Sequence, residues 1–314
     1  MKILLPDDVA LHLDLPDDEL VWYTFGEEIP EEHRDADAIV MWGFGHEWIQ
    51  ATLPTLPRVR WIQTLAAGPD ALLAAGVPDG IEITTGRGFH NRTVAEHRLM
   101  LTLALIRRLP ACAAAQREHR WAGELGGSLP LHPAGEVTTL LDARVTVWGF
   151  GAIGQAIAEL FVPFGAHVTG VARSAGTRGG FPVVAEDDID SLLGHTDVLV
   201  MILPSTPATA GVLTPARLAA LPERALVVNV GRASTWSEDG IVAALRDGVI
   251  AGAATDVVEH EPLPADSPLW EAPNMIITPH AAGGRPVNPE PTIVANRNAL
   301  VSGDVTAMIN RVQR

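Results

Sequence analysis

The amino-acid sequence predicts an α/β protein built from two parallel-sheet units in tandem. Three observations carry that prediction. Short apolar strands alternate with helical stretches through the first third of the 314 residues, an almost unbroken helical stretch follows, and a second, longer strand–helix series then begins. Such alternation implies βαβ units, in which crossover helices join parallel strands. The length suits two domains of ordinary size, and 47% hydrophobic residues supply a core, so disordered and collagen-like classes are excluded.

In the first series Lys2–Leu5, Ala38–Trp42, Arg58–Thr64 and Ile81–Thr85 read as strands, with His46–Leu53 and Asp70–Ala75 as helices. Asn91 is placed to cap a helix running to about His119, within which Pro110 should break or kink the chain. The second series places strands at Arg144–Trp148, His167–Ala172, Asp197–Leu203, Ala225–Val230, Ile250–Asp256 and Met275–Thr278. Its helices are Ile153–Phe164, Asp187–Leu193, Pro215–Leu221 and Ser237–Arg246, and a helix over Pro289–Ile309 closes the chain. No short repeat or low-complexity linker interrupts the series.

Rare residues narrow the chemistry. Lys2 is the single lysine among 22 basic residues, so a buried Schiff-base lysine is disfavoured and a Walker loop is excluded. Cys112 is the single cysteine, which rules out internal disulfides, Cys-rich zinc sites and iron–sulfur ligation; no metal site is expected, and Cys112 is expected to pack in the long helix. The formal net charge is −16, and residues 1–40 carry −10 of it, with twelve acids against Lys2 and Arg34. An acidic surface repels phosphate backbones, so nucleic acid is not an expected partner. Residues 1–8 lack the apolar centre of a signal peptide, and no apolar run approaches the roughly 18–20 residues of a membrane span. A cytoplasmic location without membrane contact is the expectation, and Asn91-Arg92-Thr93, though a glycosylation pattern, reads as a helix start.

The strongest local signal is Val147-Trp148-Gly149-Phe150-Gly151-Ala152-Ile153-Gly154, which follows an apolar strand and opens an apolar-faced helix. That context makes GxGxxG a dinucleotide loop. Gly149 turns, Gly151 lets the backbone approach a pyrophosphate, Gly154 permits close packing, and the amides from Ala152 and Ile153 onward face the phosphates. An NAD site places an acid about 20 residues on, to accept from the ribose hydroxyls. Here that place holds Ala172, followed by Arg173 and Ser174. A carboxylate repels a 2′-phosphate whereas an arginine and a hydroxyl bind one, so NADP(H) is preferred, with NAD(H) as the alternative.

Further stretches then accumulate: Ala66-Ala67-Gly68-Pro69-Asp70, Leu203-Pro204-Ser205-Thr206-Pro207-Ala208-Thr209, Asn229-Val230-Gly231-Arg232, Asp256-Val257-Val258-Glu259-His260-Glu261-Pro262, and Thr278-Pro279-His280-Ala281-Ala282-Gly283. In this order, behind the glycine loop, the sequence resembles the D-isomer-specific 2-hydroxyacid dehydrogenases over nearly its whole length. The resemblance implies two Rossmann-like or flavodoxin-like domains, the cofactor domain (98–283) inserted in a substrate domain made of 1–97 and 284–314. Hinges would lie near Asn91 and Gly283, and the middle domain would form a homodimer. It also implies that Arg232 binds the substrate carboxylate and polarises the keto oxygen, that His280 donates the proton, and that Glu261 pairs with His280. Imidazole near a carboxylate suits that task, because its proton is held near neutrality. By the same resemblance Ala66, Ala67 and Gly68 hold the substrate carboxylate. Pro204, Thr209 and Val230 line the cofactor, and Asp256 contacts the nicotinamide side. Spacing alone leaves Glu259 and His260 in competition with Glu261 and His280.

The sequence departs from the family at Ala233-Ser234-Thr235-Trp236-Ser237-Glu238, where Gly often follows the arginine and Val-Asp-Glu comes a few residues on; Trp236 is bulky for such a turn. The implied activity is reduction of a 2-ketoacid to a D-2-hydroxyacid, with glyoxylate or hydroxypyruvate as the analogous substrates, while Trp22, Trp42, Phe44 and Trp48 leave room for a bulkier ketoacid. Two other readings fit the same motifs: a dehydrogenase acting oxidatively on phosphoglycerate, formate or phosphite, and a dinucleotide-sensing corepressor-like protein.

Overall fold

The computed structural model describes residues 1–313 except Phe44, 128–132 and 134–135; the expectation for Phe44 therefore lies outside the described residues. The chain divides into two compact units, Met1–His90 with Arg285–Arg314, and Asn91–Gly284. Both are α/β units with Rossmann-like parallel sheets.

In the first unit, β1 (Lys2–Pro6), β2 (Glu19–Tyr23), β3 (Ala38–Met41), β4 (Trp61–Thr64) and β5 (Glu82–Thr84) form a parallel sheet in the order β2-β1-β3-β4-β5. Helices α1 (His46–Thr52) and α2 (Asp70–Ala74) connect its strands. The strands alternate faces: Leu4, Ile39, Ile62 and Ile83 enter one core, while Ile3, Leu5, Val40 and Trp61 enter the other. Burial on both faces is why these strands read as continuous apolar runs. β2 escapes the sequence reading because it is an edge strand, half-exposed and preceded by Asp17 and Asp18.

The second unit opens with α3 (Asn91–Ile106) and α4 (Leu109–Arg117), continues through β6 (Arg144–Trp148), α5 (Ala152–Phe161), β7 (His167–Ala172), β8 (Gly176–Arg178), β9 (Phe181–Ala185), α6 (Asp190–Leu193) and β10 (Val198–Met201), and ends with α7 (Pro215–Ala220), β11 (Leu226–Asn229), α8 (Glu238–Arg246), β12 (Gly252–Thr255) and β13 (Met275–Ile277). Its sheet runs β13-β12-β11-β10-β6-β7-β9-β8. All pairs are parallel except β8–β9. Strand order reverses between β6 and β10, and in open α/β sheets ligands bind beyond the strand ends at that reversal.

Three expectations are corrected, and one, the break at Pro110, is met. The boundary expected at 97 lies at 90/91, because Val94, Ala95, Leu101 and Leu105 of α3 share one core with Ile157 and Phe161 of α5. The long helix breaks before Pro110: Arg108 takes φ 50, the two helices bend by 64°, and Pro110 falls in the first turn of α4, where a missing N–H costs nothing. Cys112, expected to pack, is exposed on α4. The last helix, α9 (Glu290–Ser302), stops well short of Ile309 because Gly303 caps it at φ 79. Among the described residues no single helix is long and apolar enough to cross a membrane.

A buried polar chain fastens α9 into the first unit. Trp61 Nε1 donates to Thr84 Oγ1 (2.8 Å), Thr84 Oγ1 to Gln63 Oε1 (2.7 Å), and Asn296 Nδ2 to the same Gln63 oxygen (2.9 Å). Asn296 also closes on Ile309, accepting from its amide (2.6 Å) and donating to its carbonyl (3.1 Å).

Candidate functional site

The glycine loop follows β6 directly. Gly149 has φ 104, and a Cβ there would lie 2.5 Å from the carbonyl oxygen of Ile202, so only glycine fits the turn. A Cβ on Gly154 would lie 2.6 Å from Gly149 O, whereas one on Gly151 would meet nothing within 4 Å. Gly151 is the N-cap of α5 and no side chain caps the first turn, which holds Ala152, Ile153 and Gly154. Helix N-termini carry unpaired amides and a partial positive charge. A tight loop, an open approach at Gly151 and an uncapped ten-residue helix form a cradle that fits a pyrophosphate.

Beyond the loop, the end of β7 leads to Arg173 and Ser174, both exposed. Arg178, on β8, donates through Nη1 to Phe150 O (3.2 Å) and through Nη2 to Ser174 Oγ (2.9 Å) and O (3.2 Å). Sequence reasoning missed Arg178 with its strand. A signal was present, since Gly179-Gly180 directly before the apolar Phe181–Ala185 is a pair suited to a two-residue hairpin turn.

Past β10, Thr209 Oγ1 donates to Pro204 O (2.6 Å) and accepts from the Thr206 amide (2.9 Å), shaping the Pro204 loop. Val230 is buried at the end of β11, its amide on Met201 O (3.2 Å). Asn229 then builds the Arg232 turn: its Oδ1 accepts from Gly231 N (3.0 Å) and its Nδ2 donates to Arg232 O and Thr235 Oγ1, each at 3.2 Å. Thr235 Oγ1 donates to Arg232 O at 2.7 Å. Asn229 and Thr235 are buried positioning residues to which the sequence assigned no role.

His280 takes φ 52 at a tight turn in which its amide donates to Thr278 O (3.0 Å). Left-handed backbone at a non-glycine residue costs free energy and is held by its surroundings. The holder is Asp256, 1% exposed: Oδ1 accepts from Thr278 Oγ1 (2.6 Å) and Ala281 N (2.8 Å), and Oδ2 from Ala282 N (2.9 Å). His97 Nε2 lies 3.3 Å from Oδ1. Burial pushes the Asp256 carboxyl up, but bonds from His97, Thr278 and the Ala282 and Ala281 amides outweigh it and hold the group below its ordinary range. Asp256, expected on the nicotinamide side, thus has both oxygens engaged by the loop that carries His280.

Glu261 is the carboxylate that meets the imidazole, with Oε2 and Oε1 at 2.8 and 3.0 Å from His280 Nδ1. Arg232, Glu261 and His280 line one cavity of about 510 Å³ with Ser205, Ser234 and Trp236. Trp236 is 2% exposed and packs in the core shared by Leu203 and Leu213, so its bulk fills the space behind the Arg232 turn. Ser237 caps α8, accepting from Gly240 N (3.2 Å). Ala66, Ala67 and Gly68 form the turn after β4 in the first unit, where Ala66 N donates to Thr64 Oγ1 (3.1 Å); their assignment to substrate rests on the resemblance alone.

Residues 99–282 match the family model described as the D-isomer specific 2-hydroxyacid dehydrogenase, NAD binding domain. The chain belongs to the D-isomer-specific 2-hydroxyacid dehydrogenase family. A glyoxylate/hydroxypyruvate reductase A of Klebsiella pneumoniae is 30% identical over 296 residues, 89% of this chain and 88% of the relative. Among solved structures, a D-isomer specific 2-hydroxyacid dehydrogenase family protein from Aeromonas salmonicida superposes with a TM-score of 0.84 at 28% identity, over 99% of this chain and 98% of that one. An NADPH-dependent glyoxylate/hydroxypyruvate reductase from Sinorhizobium meliloti, solved with NADP and sulfate, gives 0.77 at 26% identity over 100% and 98%. As a member of this family the chain is an NAD(P)-dependent D-2-hydroxyacid dehydrogenase.

Proposed function

We propose that this dehydrogenase works as an NADP(H)-preferring 2-ketoacid reductase, with a glyoxylate- or hydroxypyruvate-type substrate. The observation that carries the reading is the pairing of His280 Nδ1 with Glu261 on the wall that also holds Arg232. With Nδ1 on the carboxylate, proton transfer falls to Nε2 of the ring. Glu261 orients the imidazole through Nδ1. Arg232, permanently charged and planar, receives the substrate carboxylate and draws density from the keto oxygen. Gly149, Gly151, Ala152, Ile153 and Gly154 hold the pyrophosphate, with Pro204, Thr209 and Val230 flanking it. Bound at this cradle, the nicotinamide supplies the hydride. The absence of an acid after β7, where Ala172, Arg173 and Ser174 stand, supports NADP(H) over NAD(H). The reductases from Klebsiella and Sinorhizobium support the substrate class. The homodimer implied by the resemblance belongs to the same proposal, and analytical ultracentrifugation tests it.

A panel of 2-ketoacids assayed with NADPH and NADH in parallel tests the reading. Turnover of small ketoacids, faster with NADPH, is expected. His280→Ala should lower kcat by about 10²–10⁴-fold while cofactor affinity holds. No turnover with either cofactor would remove the reductase reading and leave the corepressor-like one. Near-normal turnover in His280→Ala would show that the proton comes from elsewhere.

A further inference from the structure

The β8–β9 hairpin plays no part in the proton and hydride chemistry above, yet it is built against the cofactor loop. Its two-residue turn, Gly179 and Gly180 at φ 58 and 85, is the kind that matches strand twist in a tight hairpin. Phe181 packs edge-on against Phe150 of the glycine loop, with ring centroids 5.9 Å apart at 69°. Phe150 in turn sits over Gly170, where a Cβ would lie 2.2 Å from the ring. Gly179 lies so close to α5 that a Cβ would stand 2.8 Å from Gln155 Oε1. Arg178 completes the arrangement, tying Phe150 O on the glycine loop to Ser174 at the end of β7 with three hydrogen bonds.

The donor account leaves capacity for a ligand. A guanidinium has five N–H groups, and the bonds to Phe150 and Ser174 do not use the Nε–H. Ser174 Oγ accepts from Arg178, so its own proton stays available to donate. Among the described residues no carboxylate pairs with Arg178 or with Arg173. The Arg178 guanidinium therefore stands beside the Ser174 hydroxyl, with exposed Arg173 next to Ser174 in the chain, where a dinucleotide fold places the adenosine ribose.

We propose that Arg178 is a specificity-determining residue for the cofactor: with Ser174 and Arg173 it receives the 2′-phosphate of NADP(H), and its bond to Phe150 O transmits that contact to the glycine loop. The proposal rests on the NADP(H) reading above. It adds a residue from a different strand, and it gives the hairpin a purpose that a bare loop after β7 would not need. A planar guanidinium held in place by Ser174 and Phe150 loses little freedom when a phosphate arrives.

Calorimetric titration of the whole protein with NADPH, NADH, 2′,5′-ADP and 5′-AMP tests it without recourse to turnover. Arg178→Met should weaken NADPH and 2′,5′-ADP by about 10- to 100-fold, as loss of a charge-assisted contact does, and shift NADH and 5′-AMP by less than about threefold. Arg178→Lys, which keeps the charge without the fork, should recover part of the loss and guards against a folding defect in the first variant. Equal weakening of NADPH and NADH by Arg178→Met would make Arg178 a loop pin and overturn the proposal. A wild-type protein that prefers 2′,5′-ADP, with the preference unchanged in both variants, would overturn it while sparing the NADP(H) reading. A wild-type protein that binds 5′-AMP as tightly as 2′,5′-ADP would remove both.

Discussion

The two outer positions of the tightest part of the glycine loop should respond to the same substitution in opposite ways. At Gly149 an added Cβ meets backbone, 2.5 Å from Ile202 O and 2.8 Å from Ile202 C, and φ is 104, a region that L side chains rarely adopt. The conformational strain costs about 1–3 kcal/mol and the overpacking about as much again, together about 2–6 kcal/mol. For a domain of this size each kcal/mol moves the melting temperature by roughly 2–4 °C, so Gly149→Ala should lower Tm by about 5–20 °C. At Gly151 the added methyl meets nothing within 4 Å and φ is −87, so Gly151→Ala should leave Tm within about 2 °C. The same methyl occupies the approach to the pyrophosphate, so dinucleotide affinity should fall by about tenfold or more. Calorimetric melting and titration with NADPH read both quantities. A Gly151→Ala protein that binds cofactor normally, or a Gly149→Ala protein that melts like wild type, would refute the assignment of turn and approach to these two glycines.

Asp256 gives a pH-dependent test. Its carboxyl is held below the ordinary range, so its contribution to stability is complete above the unfolded-state value near 3.9 and is lost as pH falls through the folded-state value. Asp256→Asn should cost about 1.5–3 kcal/mol at pH 7 and flatten the fall in stability towards pH 3; urea melts at pH 3, 5 and 7 check this, and parallel curves for the two proteins would exclude it. In the first unit, Asn296→Leu keeps the branched shape and the number of heavy atoms but strands the backbone groups of Ile309. A loss of about 1–3 kcal/mol is expected, with faster hydrogen exchange at the Ile309 amide; unchanged exchange there would show that α9 is held by apolar contacts alone.

What the sequence made legible follows physical lines. Buried strands such as β6 and β10 announce themselves because Val145, Val147 and Trp148 in one and all four residues of the other are apolar, and the glycine loop does so because turn, approach and packing each demand glycine at a set place. Edge elements do not. β2 is half-exposed and its Leu20–Tyr23 run follows directly on the acidic Asp17-Asp18-Glu19, and β8 carries no buried residue and no apolar run. Pro110 was legible as a break but not as a start, because a proline serves the first helical turn as readily as it ends a helix. Motif order picked out Arg232, Glu261 and His280, but roles carried by buried polar geometry were not legible: Asn229 acts through a turn three residues long behind Arg232, and His97 meets Asp256 from far away in sequence only once the chain is folded.

The interruption of the first unit by the second has a consequence for synthesis. Ile3, Leu5, Val40 and Trp61 need Ile293 and Leu300 of α9 to complete their core, and nearly two hundred residues are translated in between. At about 5–20 residues per second that is roughly 10–40 s, during which a finished apolar face waits on the nascent chain without its cover. The inserted unit has all its strands before α9 emerges and can fold ahead of the unit that began first. Released chains truncated after residue 284 should therefore hold a native second unit beside an incomplete first sheet, the form of this protein most in need of a chaperone.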